Sequence, residues 1–226
     1  ATAAPAQGPA RQFLDVRQCH NPSMDHNTAT PADVLRFWLG AHPIEPAALQ
    51  RVQGQWFQKN DAFDAELRQR FLPTIAAARA GQLDAWAEDA EGRLALLIVL
   101  DQFTRNAFRG QPEAFAGDAQ ALALAMEGIE RGHDQAVPPM ARIFCYLPLE
   151  QAEDPAMQER SVALFTTLRD APEAEPKAFF DVTLDFARKH QAVIERFGRF
   201  PHRNAILGRA STAEELDYLA QPGAGF

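Results

Sequence analysis

Two stretches of this chain share the spacing Arg-Asn-Ala-x-x-Gly: "LDQFTRNAFRG" at residues 100–110 and "FGRFPHRNAILGRAST" at residues 197–212. In the first, Asp101 stands one helical turn before Arg105, so a carboxylate and a guanidinium prolong the apolar face of Leu94, Leu97 and Ile98. A carboxylate buried there without a partner is strongly destabilising. Either the two residues pair with each other as architecture, or they floor a polar pocket.

His190 is a second misfit. In "AEPKAFFDVTLDFARKHQAVIERF" it falls on a face with Phe179, Thr183, Phe186, Val193, Ile194 and Phe197. A lone histidine on such a face is more often a neutral, hydrogen-bonded core residue than a general base. The second echo displays Arg199, His202, Arg203 and Asn204 on a tight connection, with Gly198 suited to a left-handed stop and Pro201 fixing the restart. Residues 188–209 hold six Lys or Arg against one acid, Glu195, which makes a basic corner in an acidic protein. That corner can hold a carboxylate or phosphate by bidentate arginine contacts, or it can neutralise the protein's own "EQAED" run at residues 150–154.

Asn106 and Asn204 read most economically as residues that satisfy backbone at helix ends, with a ligand role as the minority reading. Arg109, beside Gly110, reads as a helix-terminus residue. The candidate ligand-binding set is therefore Asp101, Arg105, Asn106, Glu153, His190, Arg199, His202, Arg203, Asn204 and Arg209. The sharpest expectation is that Arg105 and Arg203 face one polar centre containing Asp101 and His190. No metal is expected, because a pairing of His190 with His202 plus Glu153 or Asp101 has no recognised ligand spacing. GxGxxG, a phosphate loop, HExxH and a Gly-x-Ser-x-Gly turn are all absent, and no cofactor is expected.

The elements that must position these residues are helical. Thr30 caps with Pro31 at the first position and Asp33 in the first turn, and "VLRFWLG" closes at Gly40. Asn60-Asp61 opens a helix toward Gly81, Pro112 opens one ending near Gly132, and Asp154-Pro155 opens another through Leu168. After Pro112 the residues Phe115, Ala119, Leu122, Met126 and Ile129 form one stripe expected to face the core. Ser211-Thr212-Ala213-Glu214 reads as a capping box before a last short helix. Strand signals are nearly absent, so eight to ten helices with short connections must stack on one another as an all-α domain. No 34-residue repeat recurs.

Residues 1–23 have neither helical nor strand period and read as a mobile extension before Met24, leaving 24–226 as a single helical domain. With 226 residues, 46% of them hydrophobic, and 16 Phe, the chain can bury a sizeable core. A formal charge of -8 argues against nucleic-acid binding. Only two cysteines, Cys19 and Cys145, argue against a disulfide framework and for a reducing cytoplasm. The longest apolar run, residues 94–100, is far below the ~20 residues needed to span a bilayer, so no membrane partner is expected.

The blocks "VLRFWLG", "WFQKNDAFD", "LLIVLDQFTRNAFRG", "AFAGD", "CYLPLEQAEDPAMQ" and "HQAVIERFGRFPHRNAILGRAST" resemble the bacterial domain of unknown function 924 family, from about Asp33 to the C-terminus. The resemblance implies a tetratricopeptide-like α-α superhelix with no established activity. It also implies that members are most alike at Asp101, Gln102, Arg105, Asn106, Glu153, His190, Arg199, Pro201, His202, Arg203, Asn204, Gly208 and Arg209. Family members are expected to carry His-Ser or His-Ala at Gln151-Ala152 and Pro at Thr104. Gln151 could not serve as a general acid or base, which favours binding over catalysis. The leading expectation is a pocket for a small anion or a peptide carboxylate. A hydrolase built on His190 or His202, and a purely structural polar network, are the alternatives.

Overall fold

The computed structural model describes residues 28–40 and 46–225. The expected N-terminal extension, Cys19 and Met24 lie outside the described residues. The described α-helices are α1 (Pro31–Leu39), α2 (Pro46–Phe57), α3 (Asp61–Arg79), α4 (Ala90–Leu97), α5 (Thr104–Ala107), α6 (Asp118–Glu130), α7 (Pro139–Glu150), α8 (Pro155–Asp170), α9 (Lys177–Phe197) and α10 (Ala213–Leu219). Between α4 and α5 the chain continues without a break as a π-helix, Ile98–Phe103, so residues 90–107 form one rod. Counting that rod once gives nine helices among the described residues. No strand occurs among them. The architecture is all-α and superhelical, with α6 on α7, α7 on α8 and α8 on α9.

Local signals set the helix starts. Thr30 and Asp33 form a capping box on α1, Asn60 accepts from Ala62 and Phe63 backbone N–H groups on α3, and Asp154 does the same for α8. Gly40 and Gly198 follow α1 and α9 with positive φ. The rod of residues 90–107 is buried on all sides and packs on α1, α3, α6 and α7. Its Phe103 lies 5.6 Å from Trp38 and 4.8 Å from Phe71, ring centre to ring centre. Aromatic packing of this kind fixes the rod at the centre of the core.

Tertiary demands overrode the sequence reading at four places. The helix expected from Pro112 is a single 3-10 turn, Pro112–Phe115, and α6 starts afresh after Gly117. A Cβ on Gly117 would stand 2.1 Å from the Leu100 carbonyl oxygen, so α6 begins where its backbone touches the rod. The face of α6 buried deepest is Ala121, Ala125 and Gly128, while Ala119 is exposed and Leu122, Met126 and Ile129 are half-buried. On α9 the expected Phe179, His190, Val193 and Ile194 are buried, but Phe186 is exposed and Phe180, Leu184 and Ala187 complete the buried face. The last capping box is Thr212 with Glu215, one residue later than expected, because Glu215 is also claimed by Arg199.

Candidate functional site

The π-helical stretch holds Asp101. Widening a helix loosens its own carbonyl ladder, and here side chains supply the missing donors. Thr104 Oγ1 donates to the Leu100 carbonyl at 2.7 Å, and Arg105 Nη1 donates to the Asp101 carbonyl at 2.8 Å. The same Nη1 donates to Asp101 Oδ1 at 2.8 Å, and Gln102 Nε2 donates to Asp101 Oδ2. Asp101 is 1% exposed, so its charge is compensated in place.

Arg105 reaches a second carboxylate, Asp118 at the start of α6, with Nη1 3.0 Å from Oδ1 and Nη2 donating to Oδ2 at 3.1 Å. Arg203 Nη1 also approaches Asp118 Oδ2, at 3.5 Å. Both guanidiniums lie near the Phe115 ring, Arg105 at 5.8 Å and Arg203 at 4.9 Å, and Arg203 also lies 4.4 Å from the Phe200 ring centre. Arg203 donates to the Gln151 carbonyl and to Gln151 Oε1, at 3.1 and 2.6 Å, while its Nε has no hydrogen-bond partner among the described residues. Burial and the neighbouring Arg105 lower its pKa to about 10, which leaves it charged at neutral pH. Burial would lower that of Arg105 too, but Asp101 and Asp118 raise it. Asp118 goes up, by burial and by Asp101, against the pull of the two arginines.

Behind this pair lies a neutral layer. His190 Nδ1 is 2.9 Å from the Phe186 carbonyl, which only accepts, so Nδ1 carries the proton and Glu150 Oε1, at 3.1 Å, is a second acceptor. Both residues are 4% exposed. Burial, then Asp101, pushes Glu150 up to about 8, and burial pushes His190 down to about 4. His202 is also lowered to about 4, by burial and then by Arg203. The His190 ring stands edge-on to Phe200 at 5.4 Å, and His202 lies 5.7 Å from the same ring.

The remaining sequence candidates divide into two locks. Glu153 accepts a two-pronged contact from Arg209, at 2.6 and 2.9 Å, and the Phe200 backbone N–H at 2.8 Å. Arg199 forks onto Glu215 at 2.7 and 2.8 Å, and Asn204 ties Ser211, Glu215 and Arg209 together. The first lock fastens the turn after α9 to the connection between α7 and α8, and the second fastens it to α10. Asn106 belongs elsewhere, donating to Asp64 on α3 at 2.8 Å beside Arg109, which pairs with the same carboxylate. Neither asparagine caps backbone with its side chain, as the sequence reading had favoured. Each is instead spent on a carboxylate that local sequence does not show.

Asp101, Arg105, His190, His202 and Arg203 thus converge on one centre, with Glu153 and Arg209 at its edge. Sequence reading missed Asp118, Glu150 and Phe115. Asp118 and Glu150 sit at helix ends, where acids are ordinary, and only the tertiary fold brings them to Arg105 and His190.

An open groove of about 410 Å3 lies elsewhere, between α4 and α6, lined by Ala87, Leu96, Leu100 and Leu124 with Asp84 and Glu88 at its rim. It shares no residue with the polar centre, and its one buried cation, Arg93, is spent on the Ala87 and Leu124 carbonyls. Among the described residues no group of three or more His, Cys, Asp or Glu side chains converges as a metal site. No helix among them is long and apolar enough to cross a membrane. The Cys145 thiol is buried and pushed up to about 12, which removes it as a nucleophile.

A family model described as bacterial protein of unknown function (DUF924) matches residues 34–223. Among solved structures, the chain is similar to the protein of unknown function ATU0120 from Agrobacterium tumefaciens. The two are 43% identical, with a TM-score of 0.71, over 84% of this chain and 96% of that one. No curated protein matches.

Proposed function

The chain belongs to the DUF924 family of bacterial proteins of unknown function, and from the chemistry of its polar centre we propose that it binds small organic monocarboxylates, a peptide C-terminus included, between Arg105 and Arg203. The observation that carries this reading is the approach of two guanidiniums, both near one aromatic ring, to a single partly exposed position. Arginine is suited to such a role because its planar fork matches a carboxylate.

Charge argues for one negative unit on the ligand. Glu150 is protonated at neutral pH, and His190 and His202 are neutral. Arg105 and Arg203 are then balanced by Asp101 and by whatever anion lies between them. A dianion would leave unpaired negative charge next to Asp101. Phe115, half-buried beside both guanidiniums, offers apolar surface to the body of the ligand. The Glu150–His190 pair is turned to its own contacts, His190 on the Phe186 carbonyl and edge-on to the buried Phe200 ring, so it braces the centre rather than exchanging protons with a ligand.

Calorimetric titration with benzoate, as a small acid, and with N-acetyl-Ala-Ala, as a peptide end, tests the reading. Arg203→Met and Arg105→Met, checked for folding by circular dichroism, are each expected to lose at least about 2 kcal/mol, roughly thirtyfold in affinity. Folded variants that bind both probes as the parent does would refute the arginine clamp.

A further inference from the structure

The space between the two arginines already holds a carboxylate, that of Asp118, and this protein shows what a structural carboxylate–arginine fork looks like. Arg209 grips Glu153 at 2.6 and 2.9 Å, and Arg199 grips Glu215 at 2.7 and 2.8 Å. Asp118 is held more loosely. Its only directed hydrogen bond from an arginine is 3.1 Å long, Arg105 Nη1 stands 3.0 Å from Oδ1 without hydrogen-bond geometry, Arg203 stands 3.5 Å away, and Arg203 Nε, in a residue 4% exposed, has no partner among the described residues. Asp118 is also the most exposed member of the set, with a quarter of its side chain open to solvent against 18% for Arg105 and 5% for Arg203.

We infer that Asp118 is a resident stand-in for the ligand's carboxylate, which a ligand displaces in order to sit between Arg105 and Arg203. This rests on the reading of the centre as a carboxylate site. Only the side chain has to move. The backbone just before it is fixed, because Gly117 packs against the Leu100 carbonyl and α6 cannot shift without breaking that contact. Rotation about χ1 carries the Asp118 carboxylate toward the solvent it already touches, and one carboxylate is exchanged for another with no change in the charge of the centre. Raising of the Asp118 pKa by burial and by Asp101 weakens its hold in the same direction. Asp118 therefore tunes affinity: while it occupies the clamp, the open form is a minor fraction and apparent affinity falls by that fraction.

The test is acetate binding, by calorimetry and thermal shift at matched chloride, in the parent protein and in Asp118→Ala. Acetate is expected to bind Asp118→Ala roughly 10- to 100-fold more tightly and to raise its Tm where chloride does not. Adding Arg203→Met to that variant is expected to abolish the effect. Asp118→Asn keeps the shape without the charge and is expected to fall between parent and Asp118→Ala; it also serves if the alanine variant does not fold. Equal acetate affinity in parent, Asp118→Ala and Asp118→Asn would make Asp118 a bystander and overturn the inference while leaving the carboxylate site standing. No acetate binding to any of them would remove the site itself.

Discussion

At the scale of residues, the centre stores protons in an order opposite to that of the unfolded chain. Unfolded, Glu150 releases its proton near 4.5 and the two histidines gain theirs below about 6.5; folded, Glu150 keeps its proton up to about 8, and His190 and His202 stay neutral down to about 4. Glu150 therefore contributes stability that is lost as pH rises from 4.5 through 8. The histidines contribute stability that is lost as pH falls from 6.5 through 4. Between 6.5 and 8 only the Glu150 effect operates, and between 4.5 and 6.5 the two histidines outweigh it. These groups give stability to urea a maximum near pH 6.5, with limbs of about 1.4 kcal/mol per pH unit on each side. Glu150→Gln is expected to flatten the alkaline limb and His202→Gln the acid one. A parent profile that climbs steadily from pH 6.5 to 8 would rule out a protonated Glu150. Asp101 and His190 were legible in sequence because each interrupts an apolar face, whereas Glu150 entered only as the first acid of the "EQAED" run.

At the scale of elements, the π-helical stretch and Gly117 act as one unit. The stretch displays the Leu100 carbonyl, and Gly117 lets α6 come close enough to set Asp118 beside Arg105. Gly117→Ala must push backbone from backbone, so a loss of roughly 1–3 kcal/mol is expected. Gly110→Ala forms the comparison, since its Cβ would meet nothing within 4 Å and its cost comes only from a φ of 79°. Unchanged urea stability in Gly117→Ala would mean that this contact does not hold α6. Helix starts could be read from the chain because caps are local. The restart at α6 could not, because it answers to a carbonyl on another helix. The deepest face of α6 was missed for a related reason: alanine and glycine mark close approach there, and a search for large apolar residues passes over them.

At the scale of the whole molecule, the two Arg-Asn-Ala-x-x-Gly echoes are one local device used twice, each closed by a glycine of positive φ, Gly110 and Gly208. Their asparagines diverge, Asn106 to α3 and Asn204 to the C-terminal lock, while their arginines converge on Asp118. The convergence was legible as chemistry, since both arginines sat beside misfit residues. The position on α6 where they meet was not. The site is thus assembled only when the central rod, α6 and the locked turn after α9 come together. The most direct measurement is the nitrogen–proton resonance of Arg203 Nε, the buried donor without a partner, while benzoate is titrated into the folded parent protein. The clamp predicts a saturable downfield shift of that resonance as the ligand's carboxylate accepts a hydrogen bond from Nε–H. Benzoate binding that leaves Arg203 Nε unmoved and perturbs instead the groove around Leu96 and Leu124 would contradict it.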